Sequence, residues 1–181
     1  MEVPDSQILA TFKVDSTREK GFEMLVVKYQ QRLYWHIRRM VLDHDDANDI
    51  LQNVFIKVWN NLDKFQQQSQ LFTWLYRIAT NESFTFLNQK KKKSFDSIDQ
   101  INTELIAWLT ADPYFDGDGI QHKLQAAIAS LPEKQKEVFL LRYYDEMPYE
   151  EMSELLGTSV GALKASYHFA VKKIESFLKE D

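Results

Sequence analysis

Trp74, Arg77 and Asn81 recur at steps of three and four residues, the spacing that gathers side chains on one helix face. An indole can stack on a base and a guanidinium can hold a phosphate. A carboxamide can pair with the Watson–Crick edge of a base drawn out of its stack. A Trp at such spacing is more often core, and that is the expected place of Trp74. Asn81, near the expected helix end, is the stronger candidate. A second set lies towards the C-terminus, where Ser159, Gly161, Ala162, Lys164, Ala165, Ser166 and His168 take the outward positions of an amphipathic helix. Lys164 can reach a base edge or a phosphate, and Lys172 and Lys173 can hold phosphates further along. The alternative for this segment is a helical hairpin with a solvated face.

The elements that must position these residues read as helices throughout, with no period-2 run bounded by turn pairs. Phe22, Leu25, Val26, Tyr29, Leu33, Ile37 and Met40 mark one long amphipathic helix. His44, Asp45 and Asp46 supply turn and N-cap chemistry for a second, with Ala47, Ile50, Leu51, Val54, Phe55 and Val58 as its apolar stripe. A third is expected from about Leu71 to Asn88, stopping near the cations Lys90, Lys91, Lys92 and Lys93, which suit a helix C-terminus or a phosphate backbone. Residues 95–121 hold six acids and no Lys or Arg, and read as a linker. Their Asp-Gly pairs lack the spacing and terminal Glu of a calcium loop. The cluster His44, Asp45, Asp46 and Asp49 is better explained by capping and an acidic protein-binding face than by metal binding.

A second helical unit opens at about His122. Leu124, Ala127, Ile128 and Leu131 belong to its first helix, Pro132 to the first turn of the next, and Val138, Phe139, Leu141 and Tyr144 to that helix's core face. Pro148 starts a short helix, Tyr149 to Leu156, with Met152, Leu155 and Leu156 inward. Gly157 is expected in a left-handed turn, and Thr158 or Ser159 caps a final helix whose inner face is Val160, Leu163, Tyr167, Val171 and Ile174. Short helix, glycine turn and capped longer helix form the helix-turn-helix layout. The fold class expected is all-α, two small helical domains joined by an acidic linker.

Bulk properties narrow the function. The chain has 181 residues, no cysteine and 44% hydrophobic content, so thiolate metal sites and disulfides are excluded and a reducing, cytoplasmic setting is expected. No apolar run approaches the roughly 20 residues needed to span a bilayer. The net charge is −5, but residues 1–95 carry 14 Lys/Arg against 11 Asp/Glu, while residues 96–181 carry 8 against 16. Basic groups are placed where the candidate faces are, despite the acidic total. No nucleophile-base arrangement, phosphate-cradling loop or zinc-protease motif occurs, so no enzyme activity and no cofactor are expected.

Residues 22–30 (FEMLVVKYQ), 46–57 (DANDILQNVFIK) and 72–81 (FTWLYRIATN), followed by 131–140 (LPEKQKEVFL) through Lys173, resemble the sigma-70 family, specifically its small extracytoplasmic-function group. The resemblance implies a leader over residues 1–21, a core-polymerase and minus-ten domain over 22–93, a linker over 94–121 and a minus-thirty-five domain over 122–181. It implies a non-catalytic subunit that recruits bacterial core RNA polymerase to promoter DNA, with an anti-sigma factor as a further partner. By the same resemblance, Asp46, Asp49, Ile50, Gln52, Asn53 and Phe55 lie on the helix that docks the largest polymerase subunit. Trp74, Arg77, Asn81, Lys90 and Lys91 belong to the minus-ten site, with Asn81 at the pocket for a flipped base. Ser159, Lys164, Ala165, Ser166, His168 and Lys172 belong to the minus-thirty-five site.

The final helix departs from the family pattern. The family usually reads GTVKSR and then a basic residue, where this chain has GALKAS over residues 161–166 and then Phe169. Each lost cationic contact lowers the salt dependence of DNA binding by about one unit of slope. Two other readings therefore stand beside the sigma factor: a sigma mimic that binds polymerase or an anti-sigma factor without reading DNA, and an ordinary helix-turn-helix repressor.

Overall fold

A computed structural model of the chain describes residues 3–66, 69–93 and 119–179, with 91–93 described by backbone alone. All regular structure among these residues is helical, as expected. Contacts divide the chain into two units, Met1–Phe86 and Leu87–Asp181. Most of the expected linker, including its Asp-Gly pairs up to Asp118, lies outside the described residues.

The first unit is built on α2 (Arg18–Val41), against which α1 (Asp5–Phe12) and α3 (His44–Asn61) pack. Leu25, Tyr29, Leu33, Ile37 and Met40 are buried along it as their spacing predicts, and Phe22 and Val26 are half-buried. The segment expected as a leader behaves differently: α1 buries Ile8, Leu9 and Phe12 in the core of this unit. Gly21 makes that crossing possible. A Cβ added there falls 2.4 Å from the Phe12 nitrogen and 2.7 Å from the Phe12 Cα, both backbone atoms that cannot swing aside. Polar contacts then fasten α1. Asp5 accepts from Lys28 Nζ at 2.7 Å and from the Tyr29 hydroxyl at 2.7 Å, and Lys28 also donates to the Val3 carbonyl at 2.9 Å.

Between α2 and α3 the chain turns at Leu42, whose left-handed φ of 67° is held by burial of its side chain. The cap of α3 is one residue earlier than expected. Asp43, in an extended conformation, accepts from the Asp46 backbone N–H at 2.8 Å, so His44 begins the helix. The helix after the polar loop, α4 (Leu71–Lys93), runs past its expected end and through the lysine run. Lysine is a good helix former, and four cations complement the C-terminal end of the helix dipole.

The second unit comprises α5 (Gly119–Ala129), α6 (Glu133–Tyr143), α7 (Tyr149–Leu156) and α8 (Val160–Lys179). Pro132 and Pro148 each occupy the N-cap position, one residue before the first helical turn, and their carbonyls accept from Lys136 and Met152. Val138, Phe139, Leu141, Met152, Leu155, Leu163 and Ile174 are buried as predicted. Tyr144 is half-buried, its hydroxyl accepting from Gln125 Nε2 at 2.9 Å. Phe139 stacks between Tyr143 and Tyr167, with centroids 5.1 and 5.8 Å away. Gly157 ends α7 at φ 62°, the left-handed turn expected of it.

Glu137, half-buried on α6, has its carboxyl pushed up to about 7, first by loss of water and then by the like charge of Glu133 one turn earlier, with Lys134 partly offsetting both. Unfolding lets this proton go between pH 4.5 and 7, so the charged form opposes folding above that window and not below it. Glu137→Gln is expected to raise stability at pH 8, by no more than about 2 kcal/mol after solvent screening. At pH 4.5 it should change little, a contrast that paired thermal melts will resolve. For Gly21→Ala the gain in helix propensity, about 1 kcal/mol, is outweighed by the backbone clash. The expected loss of about 1–3 kcal/mol is capped because α1 can undock, so limited proteolysis should cut ahead of α2 in this variant and spare the parent.

Candidate nucleic-acid and protein interface

Three faces carry the residues singled out by the sequence. On α4, Thr73, Tyr76, Thr80 and Ser83 point inward and are buried. Trp74, Arg77 and Asn81 each follow one of these inward residues, which rotates them by about 100°. Arg77 and Asn81 are exposed. Trp74 is half-buried, its ring centroid 5.2 Å from that of Phe65, so it neither fills the core nor stands free in water.

The inward row is held by specific contacts. His36 on α2 is buried, with Nε2 2.9 Å from Thr80 Oγ1 and its ring 4.6 Å from Tyr76. Ser83 donates to the Ala79 carbonyl at 2.9 Å, which satisfies its buried hydroxyl within the helix. Arg32 lies 5.0 Å over Phe72, and an ion pair joins Lys57 on α3 to Glu82 on α4. The outward face is therefore presented by a helix fixed on two sides. Lys90 is exposed further along α4, while the Lys91 side chain lies outside the described residues.

The second face belongs to α3. Asp49, Gln52 and Asn53 are exposed, Asp46 is half-buried, and Ile50 is buried. Phe55 packs edge-on against Phe22 at 6.2 Å, in a cluster with Phe12 and Trp59. Ile50 and Phe55 thus shape the helix from within, and the surface is made by the other residues. Ile56 joins them, 58% exposed and on the same side as Asp49, Gln52 and Asn53. The signal for Ile56 was an apolar residue outside the helix's own stripe. Among the described residues no group of three His, Cys, Asp or Glu side chains is placed to hold a metal. His44 is engaged at both ring nitrogens, 2.7 Å from the Tyr34 hydroxyl and 3.0 Å from Asn48 Nδ2.

The third face lies on α8. Ser159 Oγ accepts from the Ala162 backbone N–H at 3.3 Å, so Ser159, not Thr158, makes the capping contact. Lys164, Ala165, His168 and Lys172 are exposed and Ser166 is half-buried. The Lys164 ammonium sits 5.6 Å from the Tyr149 ring centroid, and the Arg142 guanidinium 5.2 Å from the same ring. Arg142 also donates to the Met147 carbonyl at 3.2 Å, tying the turn before α7 to α6. Arg142 lies on a different helix from Lys164, with which it shares this ring, so helical spacing does not link the two. Tyr167 stays protonated through and beyond neutral pH, since burial and then Tyr149 raise its phenol.

Two family models match in chain order: the one described as Sigma-70 region 2 over residues 25–93, and the one described as Sigma-70, region 4 over residues 121–174. The chain belongs to the sigma-70 family. Its relatives place this sigma factor in the extracytoplasmic-function group. It is 29% identical over 170 residues to the ECF RNA polymerase sigma factor SigW of Bacillus subtilis, covering 90% of this chain and 91% of that one. It is 28% identical over 172 residues to the ECF RNA polymerase sigma-E factor of Escherichia coli, covering 91% and 90%. Among solved structures, CnrH in complex with the cytosolic domain of CnrY superposes with a TM-score of 0.71 at 21% identity, covering 98% of each chain. The sigma factor RpoE of Bartonella quintana, solved with the anti-sigma factor NepR, gives 0.67 at 20% identity, covering 90% of this chain and 99% of that one. These two likenesses establish the shared fold. The faces on α3 and α4 lie within the region 2 match, and the α8 face lies in the region 4 match. Among the described residues no helix is long and apolar enough to cross a membrane.

Proposed function

We propose that this sigma factor acts in the bacterial cytoplasm. It docks on core RNA polymerase through Asp49, Gln52, Asn53 and Ile56 of α3, captures an extruded promoter base at Asn81, and anchors the upstream duplex through α8. On this reading residues 22–93 and 122–181 are the two working domains, and the protein acts by binding energy with no bond made or broken. The exposed Asn81 on the flank of a helix locked by His36 and Glu82 carries the reading. A carboxamide at a fixed place can tell one base edge from another, which a mobile one cannot.

Magnitudes limit what Asn81 does alone. A well-formed bidentate amide-base contact discriminates by about 1–3 kcal/mol, while extruding a base costs a few kcal/mol and each further duplex step about 1.4. Stacking on Trp74, phosphate contacts from Arg77 and Lys90, and contacts of the polymerase itself make up the difference. Asn81 therefore selects where opening starts more than it drives it. An anti-sigma partner covering the α3 face fits the exposed Ile56, whose apolar surface stands among polar neighbours.

One observation favours the sigma-mimic reading: Ala165, Ser166 and Phe169 stand where the family's recognition helix has Ser, Arg and a basic residue. Transcription with purified core polymerase on fragmented genomic DNA, with mapping of RNA 5′ ends, separates the two. Discrete starts sharing an upstream motif are expected, and Asn81→Ala should lower their yield by about 5- to 150-fold, the equivalent of 1–3 kcal/mol. Core binding without starts leaves the mimic. Ile56→Glu should leave the unfolding free energy within about 0.5 kcal/mol of the parent, as a surface change does, yet weaken core binding at least tenfold; unchanged affinity removes α3 from the docking surface.

A further inference from the structure

The exposed side of α8 holds chemistry that phosphate anchoring leaves unassigned. Ala162, Ala165 and Phe169 are spaced three and four residues apart, away from the buried line of Leu163, Ala170 and Ile174. All three are exposed, and Phe169 leaves 54% of its surface open to solvent. One exposed aromatic is ordinary. This one completes an apolar row on the helix that follows the glycine turn, with exposed Lys164, Lys172 and Lys173 nearby on the same helix. The cations argue for a polyanion as the occupant. The row itself offers no side-chain donor or acceptor, so the base edge it meets must present an apolar group. In the major groove the standard base that does so is thymine, through its C5 methyl. Seven residues at 1.5 Å each span about 10 Å, or about three base-pair steps.

We propose that Ala162, Ala165 and Phe169 read thymine methyl groups in the upstream promoter element, with Phe169 as the principal specificity-determining residue. The element selected by this sigma factor then holds thymines within about four consecutive base pairs. The proposal rests on the reading of α8 as the helix that enters the major groove.

The test uses the full chain assembled with bacterial core polymerase. Duplexes are first selected from a randomised library; affinity for the selected duplex is then measured with deoxyuridine in place of thymidine in the upstream element. Thymine should be enriched, and each methyl removed should weaken binding about fourfold, the transfer free energy of one buried methyl-sized group. In Phe169→Ala the loss on methyl removal should disappear at the base that Phe169 reads. The key comparison changes the DNA alone, so folding of a variant does not enter. Selected elements without thymine overturn the proposal. So does equal affinity for the uridine duplex while Lys164→Ala still weakens binding, a result that keeps α8 in the groove. If neither change matters, the placement of α8 fails and the methyl readout with it. Loss of core-polymerase affinity in Phe169→Ala, with uridine tolerated, assigns this face to a protein and also overturns the proposal.

Discussion

The buried contact between His36 and the α4 pair Tyr76 and Thr80 governs the first unit. The enclosed hydroxyl and imidazole meet at 2.9 Å, and leaving a buried polar group unmatched costs about 1–3 kcal/mol. This contact, together with the buried apolar residues Leu71, Leu75 and Ala79, sets the rotation of α4 about its own axis. Thr73, Tyr76, Thr80 and Ser83 are then inward, and the row one residue later must flank them. The outward face of α4 is thus a by-product of how the core is satisfied. Its outward residues contribute little to folding, so they are free to be chosen for recognition.

The second unit reaches the same end by other means. Its helices are punctuated by Pro132, Pro148 and Gly157, and its aromatic stack of Tyr143, Phe139 and Tyr167 fills the space where α6 meets α8. Tyr149 draws Arg142 and Lys164 to one ring, an arrangement worth about 0.5–1 kcal/mol at an exposed site. That is enough to bias two long side chains without immobilising them. On the proposed function, with both units on one chain, the second DNA contact becomes an intramolecular event once the first is made.

Periodicity made most of this legible. The stripes of α2 and α3, the bounds of α7 and the glycine turn follow from spacing and turn chemistry, which leave the cap of α8 between Thr158 and Ser159, and the spacing of Trp74, Arg77 and Asn81 puts them on one side of α4. What escaped depends on contacts between elements. Four apolar residues in the eight of α1 do not announce a helix, and nothing local marks Gly21 as the place where two backbones nearly touch. The cap is Asp43, just before the expected His44, Asp45 and Asp46, and its carboxylate accepts from the Asp46 backbone N–H. For Ile50 and Phe55 the apolar spacing of α3 gives the observed inward placement, and the family resemblance, which groups them with exposed neighbours, does not.

Trp59 sits where α1, α2 and α3 converge, edge-on to Phe12 at 5.6 Å and to Phe22 at 5.0 Å, with the Arg18 guanidinium 5.2 Å from its ring. Arg18 in turn reaches Asp63 just beyond α3 at 2.5 Å. An indole in such a setting has an emission wavelength governed by a neighbouring charge and by exclusion of solvent dipoles. The junction of the three helices therefore carries a built-in chromophore, and its colour registers whether they are closed together.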